Sequence, residues 1–138
     1  MSGPSCGFSP TTSSGRLGRA KTRAFTRAPF AAIERDPNNM ILVVDMDGAV
    51  AGCAQLTVIP GLGRGATTRG QIEAVRVASG HRGQGLGRWF MQALIEAARG
   101  RGCGLVQLTS DRRREDAHRF YESLGFVASH VGFKLALG

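Results

Sequence analysis

A glycine-rich hexapeptide lies between a predicted strand and a predicted helix, and its composition suits the binding of an anion. Its sequence is Arg82-Gly83-Gln84-Gly85-Leu86-Gly87. The first N–H groups of a helix have no intrahelical acceptor and lie at the positive end of the helix dipole. Glycine removes the Cβ atoms that would keep a phosphate away from those groups, and Arg82 adds a charge beside them. The hexapeptide therefore predicts a phosphate or diphosphate site.

Two better-known phosphate motifs do not fit this spacing. A P-loop has Gly-Lys-Ser/Thr after its glycines, and no such tripeptide follows here. The dinucleotide fingerprint is GxGxxG, whereas Gly83, Gly85 and Gly87 are spaced GxGxG. A glycine string alone can also be a simple turn into a helix. The phosphate-site prediction therefore depends on the strand before the hexapeptide and the helix after it.

The elements that must position the hexapeptide form a mixed α/β pattern. Residues 71–77 alternate as a strand, with Ile72, Ala74 and Arg76 predicted on one face and the intervening residues on the other. Apolar residues every fourth position predict a long helix from Gly85 to Arg99, ended by Gly100 and Gly102. Further strands are predicted over 40–44, 49–59, 105–109, 126–128 and 133–137, with helices over 29–33 and 115–124 and a hairpin turn at 45–48. This order predicts a sheet that is partly antiparallel and partly joined by a helical crossover.

Two segments resemble the motifs of the GNAT superfamily of N-acetyltransferases. Residues 75–77 with 81–87 are similar to its main cofactor motif, (Arg/Gln)-x-x-Gly-x-(Gly/Ala). Residues 117–126 (AHRFYESLGF) are similar to its second motif, Ala-x-x-Phe/Leu-Tyr-x-x-x-Gly-Phe. The two stand in the family order, and the resemblance covers residues 40–137. It implies a single GNAT-like α/β (mixed α+β) domain over residues 29–138, with a central mixed sheet and flanking helices.

The resemblance also implies acetyl-CoA as acetyl donor and gives individual residues roles. Backbone groups of Val75 and Val77 would pair with the pantetheine arm. Tyr121 would protonate the departing CoA thiolate, although it could instead be an aromatic residue that packs on the sheet. The pyrophosphate would bind at Arg82, Gly83, Gln84, Gly85, Leu86 and Gly87.

Glu73 stands two residues before Val75, where glutamate acts as general base in similar enzymes, directly or through water. An amine acceptor arrives mostly as ammonium and must lose a proton before it attacks a thioester. A carboxylate that burial makes more basic can take that proton. The alternative is a strand residue that faces solvent or pairs with Arg76 or Arg69.

Two departures from the family pattern concern the acceptor side. Residues 1–28 show no sign of the usual first strand and helices, which are therefore missing or divergent, and this segment is predicted to be disordered or irregular. An uncovered sheet edge could then be covered by a second copy in a homodimer. The Asn that often opens the second motif is absent, and Asp111, Arg114 and Asp116 occupy that region.

Charge and cysteine content favour a protein with an anionic ligand and argue against a disulfide-rich or zinc-binding protein. The formal net charge is +8, and five of the excess positive charges lie in residues 1–33, so the remainder is mildly basic and suits an anionic ligand such as CoA. Cys6, Cys53 and Cys103 have no spacing typical of a disulfide framework or a zinc site, so we expect no metal and reduced thiols in the cytoplasm. No apolar stretch has the length of a membrane helix, so we expect no membrane partner.

The expected function is transfer of acetyl from acetyl-CoA to a primary amine, small or on a protein, by direct attack in a ternary complex. The alternative is a non-catalytic acyl-CoA sensor that keeps the phosphate cradle. A basic nucleic-acid-binding protein is a third possibility. The 7% aromatic content and the absence of aromatics interleaved on a basic strand argue against it.

Overall fold

The structure is a computed structural model that describes the backbone of residues 16–19, 27–78 and 85–138, and the side chains of residues 30–78 and 85–138. The chain divides into two units, Met1–Gln107 and Leu108–Gly138. The first unit contains the sheet, with β1 (Arg16–Arg19), α1 (Arg27–Arg35), β2 (Asn39–Met46), β3 (Ala49–Ile59), α2 (Gly63–Ala66), β4 (Arg69–Val77), α3 (Leu86–Gly100) and β5 (Leu105–Gln107). The second unit contains α4 (Glu115–Ser123).

The described strands form one mixed sheet, in the order β1-β2-β3-β4-β5. The ladders from β1 to β4 are antiparallel, and β5 pairs with β4 in parallel after the α3 crossover. This confirms the predicted mixed α/β class and the predicted division of the sheet. A crossover helix is the usual means of joining parallel neighbours, and here α3 lies between β4 and β5 in the chain.

The N-terminal region contains regular structure that its sequence does not predict. Arg16–Arg19 forms β1 and pairs with β2 from Asp45 to Leu42, so this part of the segment predicted as irregular is a strand. The helix predicted over 29–33 extends over Arg27–Arg35. Residues 1–15 and 20–26 lie outside the described residues. Short edge strands form through main-chain pairing with a neighbour, which leaves little trace in their own residue types.

The β2–β3 hairpin follows its predicted turn chemistry. Asp47 and Gly48 have φ values of 55° and 85°, and the strands close at the pair Met46–Ala49. Positive φ at both loop residues is the type I′ arrangement, which Asp-Gly favours. The Gly48 N–H also donates to the Asp45 carboxylate over 2.9 Å. The turn therefore fixes the register of the two central strands.

The core of the first unit lies between α3 and one face of the sheet. The apolar stripe predicted for α3 is buried, since Phe90, Leu94 and Ala98 are each 0% exposed. Facing positions on the strands include Leu56 and Ile72, which are 0% and 2% exposed. The apolar contact fixes the height and rotation of α3 on the sheet, and with it the position of its first turn.

Strand β4 contains a bulge that the sequence alternation does not reveal. Where the β3–β4 register shifts, Ala74 and Val75 together oppose one β3 residue. Ala74 has φ of 55°, a left-handed conformation that is uncommon outside glycine. Because the extra residue reverses the alternation beyond it, Ile72 and Arg76 lie on opposite faces of the sheet. The prediction that they share a face is wrong.

The C-terminal strands predicted over 126–128 and 133–137 do not form. Residues 108–138 are all described, and they form no strand. The apolar residues of this segment are 79–93% exposed, at Val127, Val131, Phe133, Leu135 and Leu137. A strand forms only where a ladder and an apolar face are available, and an isolated hairpin is marginal. Alternation of apolar and polar residues is therefore not enough by itself to predict a strand in this segment.

Candidate functional site

The start of α3 lies at the second half of the hexapeptide. Gly85 is the N-cap, with φ of 79° and ψ of 1°, and its carbonyl accepts the first helical bond from the Trp89 N–H over 3.0 Å. The N–H groups of Leu86 and Gly87 therefore precede the helical ladder. The first turn carries no acidic residue to offset the positive end of the dipole. Arg82, Gly83 and Gln84 lie outside the described residues.

The end of β4 extends beyond its parallel neighbour. The β4–β5 ladder covers only residues 69–71 of β4, whereas β4 continues to Val77. Val75 and Val77, both half-buried, lie in this further part of the strand, after the bulge. A strand that has separated from its neighbour can pair with an extended ligand that carries amide groups. Glu73, Val75 and Val77 thus lie on one strand end, and Gly85, Leu86 and Gly87 lie at one helix start.

Glu73 is exposed on the sheet face opposite the core. The burial that we expected for a general base is therefore absent, and that part of the prediction is wrong. Arg76 lies on the same face after the bulge, opposite Cys53, and is also exposed. Among the described residues, no ion pair joins Glu73 to Arg76 or Arg69. Its carboxylate is open to solvent.

Sequence reasoning missed a row of polar side chains on the same sheet face. Gln55, which pairs directly with Glu73, donates from Nε2 to the Asn39 Oδ1 over 2.9 Å, and Thr57 donates to the same oxygen. Across the sheet, Gln107 Nε2 donates to Gln71 Oε1 over 2.7 Å. Polar residues at alternate positions of otherwise apolar strands were the available signal. They make the sheet face around Glu73 hydrophilic.

Tyr121 belongs to the second unit and lies on α4. Its ring contacts those of Phe120 and Phe126, with centroid separations of 5.5 and 5.9 Å. Its carbonyl accepts the Phe126 N–H over 3.1 Å, and Gly125 has φ of 100°, as predicted for the residue that ends this helix. Within the described parts of the chain, no hydrogen bond involves its phenolic oxygen. The backbone and both rings fix the side chain, while its hydroxyl is left for other partners.

Asp111 organises the turn before α4, in the region where the resemblance to the second motif leads one to expect Asn. Its carboxylate accepts the backbone N–H of Arg113 over 2.9 Å and the Arg113 guanidinium over 2.7 and 2.9 Å. The hydrogen bonds from Arg113 lower the pKa of Asp111 to about 2, so it is ionised at neutral pH. Its carbonyl accepts the Arg114 N–H. Asp111 therefore stabilises the turn that precedes α4.

The described cysteines are not activated nucleophiles. Burial raises the pKa of the Cys53 thiol, and the nearby Arg76 offsets this only in part. Burial likewise raises the pKa of the Cys103 thiol. A reactive cysteine needs a lowered pKa, so both groups have the chemistry of inert thiols. Cys6 lies outside the described residues.

The described residues show neither a metal-binding cluster nor a membrane-spanning helix. There, no three histidine, cysteine or acidic side chains come close enough together to hold a metal ion. None of the helices in those same ranges combines the length and the apolar content needed to cross a bilayer.

Comparison with known proteins supplies an independent line of evidence. The sequence pattern of the "Acetyltransferase (GNAT) family" matches residues 12–126. A glucosamine 6-phosphate N-acetyltransferase of Trypanosoma brucei brucei is 39% identical over 90 residues, which are 65% of this chain and 59% of that enzyme. An aminoalkylphosphonate N-acetyltransferase of Salmonella typhimurium is 35% identical over 111 residues, which are 80% of this chain and 71% of the other. A crystal structure described as a transcriptional regulator from Bacillus halodurans C-125 superposes with a TM-score of 0.80 at 34% identity, over 89% of this chain and 99% of that one.

Proposed function

Because this chain belongs to the GNAT family of acetyltransferases, we propose that it transfers the acetyl group of acetyl-CoA to a primary amine. The observation that carries the proposal is the start of α3. Left-handed Gly85 opens a fifteen-residue helix whose first turn has no acidic side chain, next to a strand that continues past its neighbour. A diphosphate suits such a helix start, and the amide-bearing arm of CoA suits such a strand.

The site residues divide the work between binding and proton transfer. Residues 82–87 hold the pyrophosphate, and the backbone of Val75 and Val77 holds the pantetheine arm. Glu73 takes the proton that the ammonium of the acceptor must lose. The amine nitrogen then forms a bond to the acetyl carbon as the carbon–sulfur bond breaks, and Tyr121 donates its phenolic proton to the departing thiolate. The nitrogen loses its second proton as the amide forms, and exchange with solvent returns one proton to Tyr121 and removes one from Glu73. Direct attack needs no covalent enzyme intermediate.

The acceptor is a small polar amine in this proposal. The hydrophilic sheet face around Glu73 supports a polar acceptor, and the names of two relatives specify phosphorus-bearing amines, glucosamine 6-phosphate and aminoalkylphosphonate. We propose such compounds as the first members of an amine panel. Polyamines, aminoglycosides, amino acids and a peptide amine complete it.

The test has two stages. Titration calorimetry with acetyl-CoA should show saturable binding, and the release of free thiol in the presence of an acceptor should follow. Binding without thiol release from any amine would favour the acyl-CoA sensor. Salt-dependent binding to DNA without any response to CoA would contradict the proposal and favour a nucleic-acid-binding protein.

Replacement of Glu73 with glutamine should lower turnover by about a hundredfold, at the low end of the range for general-base catalysis. The low end is appropriate because Glu73 is exposed and water can replace part of its function. The measurement is the pH dependence of turnover with a panel amine. In the variant, the deficit should shrink at high pH, where more of the acceptor is already neutral. A deficit that is constant across pH would exclude the base role.

Replacement of both Cys53 and Cys103 with alanine should leave turnover within about twofold of the wild-type value, because half-buried thiols of raised pKa make poor nucleophiles. Initial rates at several fixed acceptor concentrations should give intersecting double-reciprocal lines in both proteins. Parallel lines together with loss of activity in the double variant would indicate a covalent acetyl-cysteine route and contradict direct attack.

A further inference from the structure

Gly52 of β3 lies where the end of β4 and the first turns of α3 approach one another. A Cβ atom on Gly52 would stand 3.1 Å from the carbonyl oxygen of Arg76. It would also stand 3.5 and 3.6 Å from two ring carbons of Phe90, in α3. Both neighbours belong to the elements that the proposed function assigns to acetyl-CoA. Gly52 thus lies next to both β4 and α3, the two elements that the proposed function assigns to the ligand.

Neither neighbour can move aside freely. Phe90 is 0% exposed and is packed on all sides. The Arg76 oxygen is a main-chain atom of a paired strand, since Gly52 pairs with Val77 in the β3–β4 ladder. Just beyond, the Ala78 N–H donates to the Ala51 carbonyl over 2.8 Å, which holds the end of β4 to β3. An added methyl group would fill the space beside Phe90 at ordinary contact distance, so it could not move that way to relieve the close approach to the Arg76 oxygen, and the end of β4 would have to shift.

We propose that Gly52 is a positioning residue of the acetyl-CoA site. Its missing side chain sets the separation between the end of β4, which carries Val75 and Val77, and the start of α3. A ligand that bonds to both elements requires that separation to be held to within a fraction of an ångström. Gly52 itself makes no contact with the ligand and acts through Arg76 and Phe90. This inference rests on the proposed function.

The chain supplies a matched control at the other end of the same helix. A Cβ on Gly70 of β4 would stand 3.0 Å from the Ala98 Cβ, 3.4 Å from the Cys103 Sγ and 3.5 Å from the Leu56 Cδ1. Gly70 is thus also crowded against α3, but near the helix C-terminus. Alanine at Gly70 should disturb packing as much as alanine at Gly52 while it leaves the helix start in place.

The experiment compares Gly52→Ala and Gly70→Ala by calorimetry with CoA, well below the Tm of each protein. Both variants should lose thermal stability. Gly52→Ala should bind CoA about tenfold or more weakly. A shift of β4 relative to α3 would weaken all the hydrogen bonds that the shifted element donates to or accepts from CoA. Gly70→Ala should bind as the wild type does. Wild-type affinity in Gly52→Ala, or equal weakening in both variants, would overturn the inference. Failure of the wild-type protein to bind CoA would instead overturn the proposed function.

A second pair of variants covers the case in which Gly52→Ala does not fold. In Gly52→Ala/Phe90→Leu, the smaller side chain makes room for the new methyl group on the helix side, while the Arg76 carbonyl remains crowded. This double variant should fold and bind CoA more weakly than Phe90→Leu alone. Where Gly52→Ala does fold, the double variant should recover part of its lost affinity. Equal affinity of Phe90→Leu and the double variant would overturn the inference.

Discussion

Replacement of Gly85 with valine is expected to abolish measurable binding of CoA. Gly85 has φ of 79° at the N-cap of α3, a conformation that disfavours any residue with a Cβ and β-branched residues most. Valine would pull the N-cap out of this conformation and turn the N–H groups of Leu86 and Gly87 away from the ligand. It would also place two methyl groups where a phosphate must approach. Each lost charge-assisted bond costs about 1.5–3 kcal/mol, so several together exceed what the remaining contacts can supply.

The control for Gly85 is Gly102, at the other end of α3. Gly102 has φ of 83° and ends the helix, with its N–H bonded to the Arg99 carbonyl over 3.0 Å. Nothing lies within 4 Å of a Cβ placed on it, so valine there causes backbone strain without a local clash. Both variants should lose stability by a similar amount, of about 1–2 kcal/mol. Calorimetry should then show CoA binding in the Gly102 variant alone. Binding retained in the Gly85 variant would contradict the pyrophosphate cradle.

The elements that sequence predicted well are those whose signals are local. The α3 helix follows from an apolar stripe that can be buried on one side only, ended by Gly102 in the left-handed conformation. The β2–β3 hairpin follows from Asp47-Gly48, a pair that tolerates positive φ at both positions. In both cases the residues that decide the structure are neighbours in sequence, so no knowledge of distant partners is required.

The features that sequence missed depend on partners elsewhere in the chain. Strand β1 exists because β2 offers it a ladder, and its own residues carry little strand preference. The bulge at Ala74 and Val75 is a mismatch of two strands and is invisible in either one alone. The C-terminal segment has a strand-like sequence but forms no strand. Phe133 and Leu135 alternate with other residues as in a strand, and both stay exposed.

The candidate site divides in the same way. Motif spacing located the helix start at Gly85, and the structure places the N-cap of α3 there, in the left-handed conformation that glycine tolerates. The exposure of Glu73 could not be read from its strand, because alternation assigns faces but not what covers them. The contribution of Gly52 was also invisible, since it depends on the distances to Arg76 and Phe90. The roles of all the site residues stay predictions, and Arg82, Gly83 and Gln84 also lie outside the described residues.

Replacement of Tyr121 with phenylalanine is expected to lower turnover by about 10²- to 10⁴-fold, the contribution of a positioned general acid. The change keeps the ring and its contacts with Phe120 and Phe126, so the α4 packing and the Tm should be unaffected. CoA affinity should change little, because in this role the hydroxyl acts only as the thiolate departs. Stopped-time assays of thiol release, with calorimetry on the same preparation, measure both quantities.

The nature of the leaving group separates acid catalysis from a packing effect. An acetyl donor built on the selenium analogue of CoA keeps every binding contact but departs as a far more acidic selenol, which needs little protonation. The deficit of Tyr121→Phe should therefore shrink with this donor. A Tyr121→Leu variant, which also loses the ring contacts, should show a lowered Tm and a further loss that the donor does not relieve. If Tyr121→Phe turned over acetyl-CoA at the wild-type rate, or if its deficit were the same with both donors, Tyr121 would not be the acid.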